Sequence, residues 1–155
     1  MAIRKTLLIT LFSVFLLFFS SQLFAVEKCV EVRYGNPDTA IGTVIEFQWV
    51  ADGDGNFTAT VTKQPVEGYA VKAITNPGAT APADNYDITI TDEDGVDVMG
   101  GALADRDTTT SEEVVPKFSA QNVYGAKRVH GFLTVTITNI TNADANGTIK
   151  LFIER

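Results

Sequence analysis

The sequence is poor in the residues that carry most chemistry. Among 155 residues there is one cysteine, Cys29, and one histidine, His130. A single cysteine excludes an intramolecular disulfide, and one cysteine with one histidine supplies no zinc-type ligand set. No serine stands in a nucleophile-elbow sequence, and no glycine-rich loop has the phosphate-binding pattern. Catalysis by carboxylates alone needs two acids facing each other across a cleft, and short strands leave little room for a deep one. The composition therefore points away from an enzyme. No catalytic, cofactor-binding or metal-binding residue is assigned, and no cofactor is expected.

Basic residues are also scarce, 12 Lys and Arg against 19 Asp and Glu, for a net charge of −7. Their placement says more than the total. From Asp84 to Glu113, ten acids (Asp84, Asp87, Asp92, Glu93, Asp94, Asp97, Asp105, Asp107, Glu112 and Glu113) face one base, Arg106. Phosphate neutralisation requires a basic surface, so a nucleic-acid partner is not expected, and neither is an anionic membrane surface.

Long apolar runs are missing after residue 25. Before it, Arg4 and Lys5 precede an apolar stretch from Leu7 to Phe19, and Ser20 to Ala25 leads to a small residue suited to cleavage. The 13-residue stretch falls short of the roughly 20 needed to span a bilayer. Residues 1–25 read as a secretory signal peptide, with the rival reading an uncleaved anchor. Residues 26–155 are then one domain, secreted or periplasmic, whose mature chain does not insert in a membrane. Without Arg4 and Lys5 its net charge becomes −9. Val26-Glu27-Lys28 is no lipobox, so Cys29 reads as a half-buried thiol on the first strand, with an intermolecular bridge as the alternative.

The clearest element present is a β-hairpin from Tyr86 to Gly101. Tyr86, Ile88 and Ile90 alternate with Asp87, Thr89 and Thr91, and Asp92-Glu93-Asp94-Gly95 suits a type I turn closed by a left-handed glycine. This register pairs Asp92 with Val96, Ile90 with Val98 and Ile88 with Gly100. A second hairpin is expected from Val44–Val50, turning at Asp52–Asn56 into Phe57–Lys63. Further strands are expected at Cys29–Tyr34, Tyr69–Thr75, Val114–Phe118, Val129–Asn139 and Thr148–Ile153. The segment Ala102–Glu113 reads as an exposed loop, with room for one helical turn. About eight strands and no convincing helix in the mature chain predict an all-β fold, a single antiparallel β-sandwich, with a closed barrel as the structural alternative. Its expected core is Phe47, Trp49, Ile88, Ile90, Val98, Leu133, Val135, Ile137, Leu151 and Ile153.

A few motifs invite a functional reading. Asp52-Gly53-Asp54-Gly55-Asn56 starts like a calcium loop, but an EF-hand needs glycine sixth and glutamate twelfth, where Phe57 and Lys63 stand. An ordinary turn is the plainer reading. Asp92, Glu93, Asp94 and Asp97 form the densest carboxylate cluster, suited to a cation or to a solvated tip that discourages edge pairing. Asn56, Asn139 and Asn146 open glycosylation sequons, which chance alone supplies in a threonine-rich chain. Phe132 and Phe152 lie out of phase with the core positions of their strands. As an exposed pair they would favour assembly if flat, or sugar binding if they lined a groove.

The stretch Ala81 to Val98 followed by Gly100-Gly101 resembles a group of small proteins encoded by tailed phages and prophages, regarded as virion structural proteins or left uncharacterised. The likeness extends from Phe47 to Ile153, through Trp49, Glu113-Val114-Val115-Pro116, Leu133–Asn139 and Gly147–Ile153. It implies a small β-domain that packs on other protein surfaces and brings no catalytic residues. The chain departs from that group in carrying an export signal. The expectation is an exported, non-enzymatic structural or interaction domain with a protein partner or self-assembly. The alternative is a carbohydrate- or calcium-binding module of the cell envelope, with the small-molecule ligand left open.

Overall fold

The computed structural model describes residues 28–35, 42–118 and 122–155. The signal-peptide reading of residues 1–25 lies outside the described residues.

Alternating apolar and polar residues build the larger sheet. Strands β1 (Lys28–Tyr34), β2 (Thr43–Val50), β11 (Asn146–Glu154), β4 (Val66–Pro77) and β6 (Glu112–Val114) lie side by side in that order. A further strand, β9 (Lys127–Gly131), also pairs with β4. The smaller sheet holds β3 (Thr60–Val61), β10 (Thr134–Thr138) and β5 (Asp87–Thr91), with β10 central. Strands β7 (Lys117–Phe118) and β8 (Val123–Tyr124) form a separate two-stranded ribbon. Every pairing is antiparallel. The protein is therefore all-β, as its patterning predicts, and among the described residues no helix is long and apolar enough to cross a membrane.

One core joins the two sheets. Ile45, Phe47 and Trp49 of β2, Ile149, Leu151 and Ile153 of β11, Ile88 and Ile90 of β5, and Val135 and Ile137 of β10 are all buried. Every residue of the expected core is in it. Trp49 ties the layers together, its indole meeting Phe57 edge-on at 6.3 Å and Tyr86 at 6.1 Å. Aromatic pairs at such spacings add about 0.5–1.5 kcal/mol beyond burial alone. Gly147 sits opposite Trp49 in the ladder, and a Cβ there would lie 3.1 Å from the indole, so the small residue makes room for the large one.

Several local expectations are corrected. The stretch Val129–Asn139 is two strands in different sheets, because Gly131 takes φ +84° and turns the chain before Leu133. The expected hairpin through Asp52–Asn56 is a crossing instead. Its turn closes, yet β2 belongs to the larger sheet and β3 to the smaller, where Val61 is exposed and Thr62 is buried. In β4 the two-residue alternation does not run unbroken, since a bulge opposite Phe152–Ile153 changes the phase. Ala70 and Ala73 face in while Tyr69 is exposed. Proline cannot donate to a ladder, and Pro116 splits Val114–Phe118 into β6 and β7.

The main hairpin keeps its turn and loses its second strand. Asp92 N–H donates to Val96 O at 3.1 Å and Val98 N–H to Ile90 O at 2.8 Å, as the register requires. Ile88 N–H, however, reaches Leu103 O at 3.0 Å rather than Gly100. Beyond Val98 the chain coils through successive turns, burying Met99 and Leu103 completely. The segment after Gly101 is thus a loop exposed only in part, at Asp105 and Thr109–Ser111, anchored by Leu103, and it contains no helical turn. It covers the outer edge of β5, with Arg106 N–H donating to Tyr86 O at 2.8 Å.

Candidate functional site

The acidic segment is the first place to look, and most of its carboxylates are engaged within the fold. Asp92 Oδ1 accepts the N–H groups of Asp94 and Val96 at 3.1 and 2.8 Å. Asp97 accepts Met99 N–H and Gly101 N–H, one on each oxygen. Asp87 accepts Asp105 N–H at 2.9 Å and the Asn139 side-chain amide at 2.6 Å, holding the covering segment and the end of β10 together. Glu93 reaches across to Phe132 N–H at 3.0 Å. Glu112 accepts Asp107 N–H at 2.8 Å and lies 3.3 Å from the Arg106 guanidinium, while Glu113 pairs with Lys72 at 2.8 Å. A turn leaves backbone donors without strand partners, and short acidic side chains satisfy them locally. The negative charge thus has a structural origin.

Asp107 and Tyr86 titrate away from their ordinary values. Asp107 is held down to about 2, first by Thr109 N–H, then by the Thr109 hydroxyl and Thr110 N–H, with contacts of 2.6–2.8 Å. Tyr86 is pushed up to about 12, first by burial and then by the Glu112 charge, while Arg106 and a hydrogen bond with Thr75 pull the other way. Both groups belong to the scaffold that ties the 102–112 segment to β5 and β4.

The other sequence candidates do not converge. Asp52 Oδ1 accepts Asp54 N–H and Asn56 N–H at 2.9 and 2.8 Å, the bonding of a turn. His130 is exposed on β9, with Nε2 3.6 Å from Glu67. Among the described residues no group of three or more His, Cys, Asp or Glu side chains is arranged to hold a metal ion. Phe132 is 40% exposed at the corner between β9 and β10. Phe152 is half-buried on the outward face of the larger sheet, with the Lys72 ammonium 4.7 Å above its ring. Gly131, beside Phe132, pairs with Val66, six residues along β4 from the Lys72 that pairs with Phe152. At about 3.3 Å per residue that separates them by roughly 20 Å, so they form no common patch.

Two surfaces missed at the level of sequence are more coherent. The first is the segment from Val115 to Tyr124, where Val115, Phe118, Val123 and Tyr124 are 39, 43, 51 and 58% exposed. Phe118 and Val123 are direct partners and share one face of the ribbon, while Tyr124, opposite Lys117, lies on the other. The short alternation there was too weak to reveal which face is wet.

The second is the outward face and edge of the larger sheet at β1. Register places Cys29, Glu31 and Arg33 opposite Trp49, Phe47 and Ile45, on the core side. Val30, Val32 and Tyr34 therefore face outward, beside Gln48, Glu46 and Val44. Apolar and polar faces of β1 are inverted relative to the rest of its sheet. The cause is local: Glu31 accepts Lys63 N–H at 2.6 Å, and Arg33 donates to Gln64 O and Pro65 O at 2.6 and 3.3 Å. Polar side chains inside the edge strand satisfy a crossing loop that has no ladder of its own. On the outward face an open depression of about 320 Å³ lies among Tyr34, Val44, Glu46, Lys150 and Phe152. Glu46 is nearly buried there, held by the Gln48 amide at 2.8 Å and Lys150 at 3.4 Å.

Comparison with protein-family models, with curated proteins and with solved structures gives no match to this chain.

Proposed function

We propose that this domain works by protein contact, as an exported, non-enzymatic structural or interaction module, a subunit of a larger assembly. The observation that carries the reading is the exposure of Val115, Phe118, Val123 and Tyr124, with Phe118 and Val123 side by side on one face of the β7–β8 ribbon. Large apolar side chains left in solvent gain nothing for an isolated domain, and they are what a partner surface buries. The resemblance to small virion proteins of tailed phages supports the same reading, since its implied role is packing on other proteins. The acidic side chains are consistent with it, because they serve turns and keep the remaining surface soluble.

The test is the mass of the native particle. Protein extracted gently from the cells that make it is expected to elute above monomer mass, and a Phe118→Ser, Tyr124→Ser variant to elute lower. A monomer in the native extract, at every concentration, overturns the contact reading. Saturable binding of a glycan by that monomer would replace it with the ligand-binding alternative.

A further inference from the structure

We infer that the free edge of β1 pairs with the same edge of a second copy, joining two larger sheets into one continuous sheet about a two-fold axis at Val32. This rests on the contact reading above and names one partner for it.

Among the described residues β1 has one strand neighbour, β2. Its alternate N–H and C=O groups point away from that neighbour, and such an edge is a template for another strand. Three of the usual protections, short length, proline and a bulge, are missing, and its charges Glu31 and Arg33 pair with each other on the core side. β1 runs seven residues, contains no proline and follows β2 in unbroken register. Other edges are shorter or covered: β6 has three residues, β3 has two, β9 has five, and β5 is covered by the segment through Leu103 and Arg106.

Symmetry restricts the register. In a continuous sheet the outward faces must match, so the axis passes through one residue of β1. An axis at Glu31 opposes two Glu31 carboxylates, and an axis at Arg33 opposes two guanidiniums. Like charges directly opposite destabilise a ladder. Glu31 and Arg33 pair with each other within each chain, and an axis at Val32 sets each carboxylate of one such pair opposite the guanidinium of the other copy's. It also sets Val30 against Tyr34 twice and Val32 against itself, so the three outward apolar residues of β1 meet their counterparts. An axis at Val30 shortens the ladder within β1 to five residues and carries Arg33 beyond the strand's first residue. Among registers without like charges opposed, the one about Val32 pairs the most residues of β1 and joins all three of its outward apolar side chains.

Single cysteines in a Cys29→Ser background test the register. Val32→Cys is expected to yield a covalent dimer with a short bis-methanethiosulfonate reagent. Val30→Cys and Tyr34→Cys should link weakly alone and strongly when the two preparations are mixed. Val32→Lys, with an unchanged circular dichroism spectrum, should turn the dimer into a monomer. A purified protein that is monomeric at every concentration overturns the inference, and so does an oligomer in which position 32 does not cross-link to itself. In either case a native extract still above monomer mass leaves the contact reading standing. A monomeric native extract removes both.

Discussion

Asp52 and Asp92 close the same loop in two different parts of the fold. Each donates its own N–H to the carbonyl four residues on, at 2.9 Å in one and 3.1 Å in the other. Each accepts the N–H of a left-handed glycine, Gly55 at φ +75° and Gly95 at φ +76°, on its carbonyl at 3.0 Å. Each also turns Oδ1 onto the N–H groups two and four residues ahead. The shared Asp-x-Asp-Gly spelling is thus the chemistry of a tight turn, in which the first carboxylate faces the backbone.

The twin loops differ in their surroundings, which separates conformational strain from collision. A Cβ on Gly95 meets nothing, so Gly95→Ala is expected to cost about 1–2 kcal/mol for the left-handed backbone alone. A Cβ on Gly55 would lie 2.8 Å from the Thr141 carbonyl carbon and 2.9 Å from its oxygen. Gly55→Ala should cost that much again or more, in the range of about 1–3 kcal/mol for overpacking. Urea denaturation of the two variants measures the difference. Equal losses would mean that the segment at Thr141 moves aside freely.

Strand positions were legible wherever a period of two ran unbroken between turns. Phe47, Trp49, Leu133, Val135, Leu151 and Ile153 all fell into the core on pattern alone. What stayed hidden needs knowledge of the other layer. Nothing in Cys29–Tyr34 says that Glu31 and Arg33 face inward, because the loop at Lys63–Pro65 that they bind is remote in sequence. The bulge in β4 and the turn at Gly131 break the period without a distinctive local spelling. Met99 and Leu103 were missed because they are buried by irregular turns, which have no period at all. The outward apolar face of β1 went unread for the same reason as its polar interior.

Alkaline stability should report on Tyr86. Its folded value of about 12 exceeds its ordinary 10, so between those values the folded state holds a proton that the unfolded chain has lost. Stability from this group is complete below pH 10 and falls as pH rises through 12, by about 3 kcal/mol in total. Tyr86→Phe should remove that loss from the pH profile. At neutral pH it should cost about 1–3 kcal/mol, because Thr75 is buried and loses its partner. A variant with the parent's alkaline profile would show that another group controls it.

Asp107 predicts the opposite behaviour at the acid end. Its folded value of about 2 lies below its ordinary 3.8, so its contribution is present above pH 4 and is lost as pH falls through 2. A carboxyl-carbon NMR titration is expected to place its midpoint near 2. Asp107→Ala should free Thr109 and Thr110 N–H to fast hydrogen exchange. A midpoint near 4 would mean that the loop is not held in solution.

Glu93 and Gly131 offer a test of how the two sheets are clamped at the chain's corner. The Glu93 carboxylate caps Phe132 N–H and also occupies the space where a Gly131 side chain would stand, 2.7 Å from its carboxyl carbon. Gly131 further adopts φ +84°, so Gly131→Ala carries both strain and collision. Glu93→Ala alone should cost about 0.5–1.5 kcal/mol, since Phe132 N–H lies near solvent and finds water. With Glu93 already truncated the collision disappears while the strain remains. Gly131→Ala should then cost less than in the parent, and the difference in a double-mutant cycle should fall between about 0.5 and 3 kcal/mol. Strict additivity would mean that Glu93 swings into solvent at no cost, leaving the corner held by backbone geometry alone.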